Sequence, residues 1–303
     1  MTAHDRFRGC LLGLATGDAL GTAVEFRPRG SFEPLLDMVG GGPFGLRPGQ
    51  WTDDTSMALC LAESLLEVGG FDARDQMERY VRWWTEGHLS STDRCFDIGP
   101  TVREALQRFR HSGDPWSGST DPFSAGNGCI MRLAPVPMFF LGNVEEVVLR
   151  SGESSRTTHG TRECLDACRL LGFLLHRALS GMAKEEILGP VPNLPGGPLA
   201  PRIQEIADCA YFQKSDSEIR GSGYVVESLE AALWCFHRTS TYEDTVLTAA
   251  NLGEDADTTA AICGQIAGAF YGVGEIPTKW LQLLARRGLI EGLADRLEGG
   301  LQR

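Results

Sequence analysis

Residues 49–70 read GQWTDDTSMALCLAESLLEVGG. Met57, Leu61 and Leu65 recur at helical spacing with Ala58, Ala62 and Val68 beside them, which predicts a helix with one face turned to a core. Four residues before Met57, on the same line, stands Asp53, with Thr52 before it and Asp54 after it. A threonine or acid in the first turn serves a helix as a cap, and negative charge there suits the helix dipole. One side chain is enough for a cap. Two adjacent carboxylates against buried surface repel each other and lose hydration unless a cation or a set of donors neutralises them. The stretch therefore asks for the second half of a cation site.

Helical periodicity continues along the chain. Met77, Tyr80, Val81 and Trp84 form a stripe, as do Val102, Ala105, Leu106 and Phe109. Cys164, Cys168, Leu171, Leu175 and Ala178 form a third, and Val225, Leu229, Ala232 and Phe236 a fourth. No segment sustains strand alternation, so the expected fold class is all-α, a multi-helix domain spanning residues 1–303. Three stretches are irregular: 27–50, 111–128 and 187–203. The first two read as site loops. The third holds five of the fifteen prolines, and helices of the same type flank it, so it reads as a surface loop rather than a linker.

Two predicted helices carry glycine every fourth residue: Gly9, Gly13, Gly17 and Gly21 in one, Gly264, Gly268 and Gly272 in the other. Each interior glycine weakens a helix by about 1 kcal/mol relative to alanine. The bare faces suit close approach of another helix or of a ligand, and close helix packing is the main expectation.

The 303 residues are 42% hydrophobic and 22% charged, an ordinary soluble composition able to bury a large core. A formal net charge of −12 argues against a general binder of nucleic acid or anionic membrane. The nine cysteines form no C-x-x-C pair and mostly sit in apolar segments, as buried free thiols of a reducing compartment do. MTAHDRFRGC lacks the build of a signal peptide, and the small, apolar run from Thr258 to Gly274 is too short and glycine-rich to span a bilayer. The expected location is the cytoplasm.

The partner of Thr52-Asp53-Asp54 appears in NLGEDADTTAAICGQIAG, where Asp255, Asp257 and Thr258 open the second glycine-striped helix. Alone, this cluster too reads as a cap. Together the two supply four carboxylates and two hydroxyls, the all-oxygen set that hard cations such as Mg2+ or Mn2+ take, with enough oxygens for two metals. A calcium loop is the competing metal reading, disfavoured because EDADTT lacks the regular ligand ladder.

The segments GCLLGLATGDALGTAVEF, WTDDTSMAL, AGNGCIMRLAPV, TTH, GSGYVVESLEAALW and NLGEDADTTAAICGQIAGAFYG, in this order, resemble the ADP-ribosylglycohydrolases. The resemblance implies an all-α orthogonal bundle with two divalent cations, Mg2+ or Mn2+, that cleaves the glycosidic bond between ADP-ribose and an acceptor. It implies Thr52, Asp53, Asp54, Asp255, Asp257 and Thr258 as metal ligands and places Glu25 on a movable segment beside the metals. The turn Gly126-Asn127-Gly128 then reads as a cradle of N–H groups for phosphate or ribose, its alternative being an ordinary turn. Arg132 reads as a holder of that loop or of the diphosphate. His159 reads as a ribose or phosphate contact, or as a structural histidine. Tyr224 reads as an adenine-stacking ring or as helix packing, and Trp116 as a weaker candidate for the same stacking.

FDIGPTVREAL, residues 96–106, resembles the segment with which the dinitrogenase reductase-activating branch sets an aspartate against an ADP-ribosylated arginine. That implies Asp97 as the partner of the guanidinium, a pairing suited to a carboxylate; a loop cap before the next helix is the alternative. The resulting expectation is a metal-assisted hydrolase acting on ADP-ribosylated protein, with Asp97 or Glu25 protonating the leaving group. Three alternatives stand beside it. One is cleavage of an O-linked ADP-ribose, as on serine; another is a non-catalytic ADP-ribose binder. The third is an immunity protein capping an ADP-ribosylating toxin, which needs an added protein-binding segment; none is expected before the first motif.

Overall fold

Helices that give up several side chains to glycine need contacts that a side chain would forbid. The computed structural model, which describes residues 1–300, supplies them. The N-terminal helix, Ala3–Gly21, lies against the Ala256–Tyr271 helix. A Cβ added at Gly9 would strike the carbonyl oxygen of Gly268; at Gly13, that of Gly264; at Gly17, that of Ala260; at Gly21, that of Ala256. The partner number falls by four as the glycine number rises by four, the register of two antiparallel helices in backbone contact. No other helix pair among the described residues packs so extensively.

The other helices surround this pair, and no β-strand occurs among the described residues beyond three isolated bridges, so the fold is all-α as expected. No described helix is long and apolar enough to cross a membrane. The stripes predicted on Pro100–Ser112, Arg162–Leu179 and Val225–Arg238 are buried. The Ala73–Glu86 stripe is rotated from the expected one: Met77 and Tyr80 are buried with Trp83, while Val81 and Trp84 are only half-buried. Gln76 fixes this face, because its amide donates to Tyr80 Oη (3.0 Å) and to Ser154 Oγ (3.0 Å) on the neighbouring Val144–Arg156 helix. Trp84 turns outward instead, under the Arg110 guanidinium.

Residues 27–50 contain no helix, and the proline-rich loop near residue 195 is tied down by arginines of the Arg162–Leu179 helix, Arg169 above all. Arg169, ion-paired to Asp166, donates to the carbonyls of Leu194 (3.2 Å), Pro195 (2.6 Å) and Gly197 (2.6 Å). These bonds replace the ladder that prolines cannot form.

The glycine contact predicts an asymmetry between substitutions. Gly13→Ala should destabilise by about 1–3 kcal/mol, because the methyl group meets a backbone that cannot step aside. Gly292→Ala, on the open face of the Arg287–Gly299 helix, should be neutral or stabilise by about 0.5–1 kcal/mol. Thermal melting of both variants checks this; equal melting temperatures would remove the close-contact explanation.

Candidate active site

The register of the glycine helices fixes which groups meet at their shared end. Gly21 rests on Ala256, so the chain leaving the N-terminal helix passes the start of the other helix and brings Glu25 to it. Glu25 Oε2 accepts from the Ala256 N–H (2.7 Å) and the Asp257 N–H (3.2 Å). Asp18, one residue past Gly17, does the same for the Asp53–Val68 helix. Its Oδ1 accepts from the Thr52 N–H (2.9 Å) and hydroxyl (2.9 Å), and its Oδ2 from the Thr55 N–H (3.0 Å) and hydroxyl (2.6 Å). Both helices are thus capped by carboxylates from the N-terminal segment. Thr52 and Asp255, at the two N-cap positions, make no side-chain cap bond. Capping therefore does not account for the two acidic clusters, and Asp53, Asp54, Asp255 and Asp257 are left for other work.

The structure brings those clusters together. The Thr52 hydroxyl lies 3.4 Å from Asp257 Oδ2 and the Thr258 hydroxyl 3.4 Å from Asp54 Oδ2. One carboxylate oxygen each from Asp18, Asp54 and Asp257 lie within 4.8 Å of one another, and so do one each from Glu25, Asp255 and Asp257. Asp257 belongs to both groups. Asp18 is a positioning residue rather than a candidate ligand, because its two oxygens already accept four hydrogen bonds. Asp54 Oδ1 is the opposite case, buried with no hydrogen-bond partner. Such an atom is costly to keep dry unless a cation takes it. Donors that are all carboxylate and hydroxyl oxygens, two triads of acids, and one orphaned oxygen fit a hard divalent cation.

Electrostatics point the same way. Burial first, then the charge of Asp257, pushes the Asp53 carboxyl well above the usual range. Asp54 is also raised well above it, by burial and then by Asp18. Burial and then Asp255 lift Asp257 to about 7, and burial lifts Asp18 to about 6 against the hydrogen bonds it accepts. Glu25 and Asp255 are raised too, in each case chiefly by burial. So many crowded acids resist ionisation; a nearby cation reverses that preference.

Asp53, Asp255, Asp257 and Thr258 open onto a cavity of about 680 Å3. Thr52 and Asp54 lie behind this wall. Glu25 and Asp97 are also on it. Asp97, half-buried with a left-handed backbone (φ 58°), precedes the Pro100–Ser112 helix. Burial, then the charges of Asp53 and Asp257, push its carboxyl up to about 11. Glu25 is buried in this structure and held to a helix end.

The turn Gly126-Asn127-Gly128 lines the cavity, but two of its amides are already used. Gly126 N–H donates to Ser124 O (2.8 Å) and Asn127 N–H to Gly223 O (3.1 Å). Any phosphate cradle there has to be built on Gly128. The Asn127 side chain serves the acids, donating to Asp255 Oδ2 (3.0 Å). Arg132 is fully buried and off the cavity wall: it donates to Gly128 O (3.0 Å) and Thr158 Oγ1 (2.7 Å) beneath the turn. Gln265, on the glycine-striped helix, holds the next residues through Met131 O (2.8 Å) and Ala134 N–H (2.8 Å).

His159 is on the cavity wall, with Nδ1 against the Thr158 hydroxyl (2.9 Å). A Cβ at position 128 would lie 2.9 Å from its Cε1, so glycine is what lets the ring close on the turn. Tyr224 and Trp116 stand off the wall. The Tyr224 hydroxyl donates to Glu163 (2.6 Å), and Trp116 stacks on Phe71 under the Arg156 guanidinium.

A family model described as ADP-ribosylglycohydrolase matches residues 1–303. An ADP-ribosylarginine hydrolase, Tri1, of Serratia proteamaculans (strain 568) is 45% identical over 293 residues, covering 97% of this chain and 79% of that protein. An ADP-ribosyl-dinitrogen reductase glycohydrolase of Rhodospirillum rubrum is 34% identical over 290 residues, covering 93% of this chain and 91% of that one. A solved structure described as an ADP-ribosylglycohydrolase-related protein complex superposes with a TM-score of 0.86 at 43% identity, covering 98% of each chain.

His159 yields a pH prediction. Burial, assisted by the Arg132 charge, lowers its imidazole to about 4 from the ordinary 6.5. Between these values the unfolded chain binds a proton that the folded one does not, so stability falls as pH drops from 6.5 towards 4. The full effect is on the order of 3 kcal/mol. Denaturant melts from pH 7 to pH 4.5 should show wild type losing more stability than His159→Gln; parallel curves would mean that the imidazole titrates normally.

Proposed function

This chain belongs to the ADP-ribosylglycohydrolase family and is a hydrolase of that class, and on that premise we propose that it removes ADP-ribose from arginine side chains of modified proteins with the help of bound divalent cations. The observation that carries the reading is that two acid triads meet at Asp257, on the wall of a cavity that also carries a separate carboxylate, Asp97. Thr52, Asp53, Asp54, Asp255, Asp257 and Thr258 would hold Mg2+ or Mn2+, with Glu25 beside them. Four carboxylates and two hydroxyls offer enough oxygens for two cations. Bound there, such cations supply Lewis acidity and an anchor for vicinal ribose hydroxyls.

The chain's own residues provide the rest. Asp97 accepts N–H bonds from the guanidinium and answers its charge, which orients the bond to be broken. Water attacks the anomeric carbon, the carbon–nitrogen bond breaks, and the departing guanidine nitrogen gains a proton. Asp97 and Glu25 are the carboxyls on the wall outside the four-aspartate cluster, and that proton transfer falls to one of them. Gly128 and His159 bound the side of the cavity where the remainder of ADP-ribose would lie. The nine cysteines are all unpaired among the described residues, which suits action in the reducing cytoplasm.

Arginine-linked and serine-linked ADP-ribosyl proteins, incubated with and without Mg2+ or Mn2+, test this reading. The arginine-linked substrate should be cleaved and chelation should stop it; cleavage of the serine-linked one instead would move the O-linked alternative ahead. Calorimetry should find Mn2+ binding abolished in Asp54→Asn with the helical fold retained. Asp97→Ala should keep Mn2+ and ADP-ribose affinity while kcat on the arginine linkage falls roughly 10–100-fold, the scale of one charged hydrogen bond. Loss of Mn2+ binding in that variant would put Asp97 among the metal ligands.

A further inference from the structure

Asp97 leaves part of its own wall without a role. Three phenylalanines from three segments meet there: Phe26, Phe44 and Phe96. The Phe26 and Phe44 centroids are 6.3 Å apart with nearly perpendicular rings, and those of Phe44 and Phe96 are 5.4 Å apart. Phe26 directly follows Glu25, and Phe96 directly precedes Asp97.

These rings do not fill a core. Phe26 is 65% exposed, and its backbone is left-handed (φ 61°), a conformation that a residue with a side chain adopts only under constraint. It is held there by Phe26 N–H to Glu254 O (2.8 Å) and Glu254 N–H to Arg27 O (2.8 Å). Phe44 projects from a tight loop closed by the two hydrogen bonds between Gly41 and Leu46 (2.7 and 2.9 Å). Gly42 in that loop, also left-handed, sits so close to Thr22 O that no side chain fits. The backbone is thus bent and anchored on two sides to present apolar rings to an open cavity. Exposed aromatic surface held in this way marks a place where something apolar docks.

We propose that Phe26, Phe44 and Phe96 form a collar that grips the methylene stem of the modified arginine while Asp97 takes its guanidinium, and that this collar selects arginine over short hydroxyl side chains. The inference deepens the arginine reading and rests on it. An arginine side chain is an apolar stem with a delocalised cation at its end; aromatic rings suit the stem by burial and the cation by its attraction to their faces. A serine linkage brings neither.

The test compares two substrates with the same scissile bond, an ADP-ribosyl-arginine peptide and ADP-ribosyl-guanidine, which has no stem. In Phe44→Ala the ratio of kcat/KM for the peptide to that for the guanidine should fall roughly tenfold, chiefly through KM, as when about two buried methylenes return to water. Phe44→Leu, which keeps apolar bulk, should recover most of the ratio. A ratio unchanged in Phe44→Ala overturns the collar, whatever happens to the absolute rates. If wild-type protein cleaves neither substrate, the arginine reading itself fails and the collar with it, a result visible before any variant is made. Should Phe44→Ala not fold, Phe44→Gln gives the same readout.

Discussion

The structure depends on one backbone contact, the antiparallel meeting of Gly9, Gly13, Gly17 and Gly21 with the helix that begins at Ala256. Because the contact leaves no room for side chains, it has one register, and that register sets where Asp18 and Glu25 arrive. Each then satisfies the orphan amides of a helix to which it does not belong. Only because this is done from outside are the helices' own acids free of the capping task and able to face one another. The glycines, which look like a weakness when each helix is considered alone, are the condition for the acid cluster.

The acid cluster in turn explains the surrounding hydrogen bonds. A protein of net charge −12 that gathers Asp53, Asp54, Asp255 and Asp257 in a dry space works against its own field. The neutral donors nearby are arranged to restrain rather than to neutralise. Asn127 holds Asp255 and the Thr258 N–H holds Asp257 (2.7 Å), yet Asp54 Oδ1 is left bare. Full satisfaction by protein donors would have left nothing to attract a cation.

Much of this was legible in the sequence. The helical periods gave the fold class, and the two acidic clusters stood out because both open a helix of small residues. Asp18 did not stand out, although a lone carboxylate inside GLATGDALG is the one charge in an otherwise uncharged stretch. Its role is to cap a helix 34 and 37 positions away, and spacing rules see only partners within a turn. Period favoured Trp84 over Trp83; Gln76 and Ser154 reverse that choice, which takes a second helix. The Phe26–Phe44–Phe96 group was illegible for a different reason. Loops have no period, and no residue type announces that a phenylalanine will adopt a left-handed backbone.

The wide separation of Thr52 from Asp257 in the chain bears on synthesis. A ribosome delivers the N-terminal helix, with its glycine face, long before the helix that covers it. Until the Ala256–Tyr271 segment has emerged, Asp53 and Asp54 are two separate, hydrated carboxylates with no preference for a metal. Contacts of such long range also close slowly. The nascent chain therefore carries an uncovered seam until the Ala256–Tyr271 segment is made, and the two halves of the acid cluster meet only then.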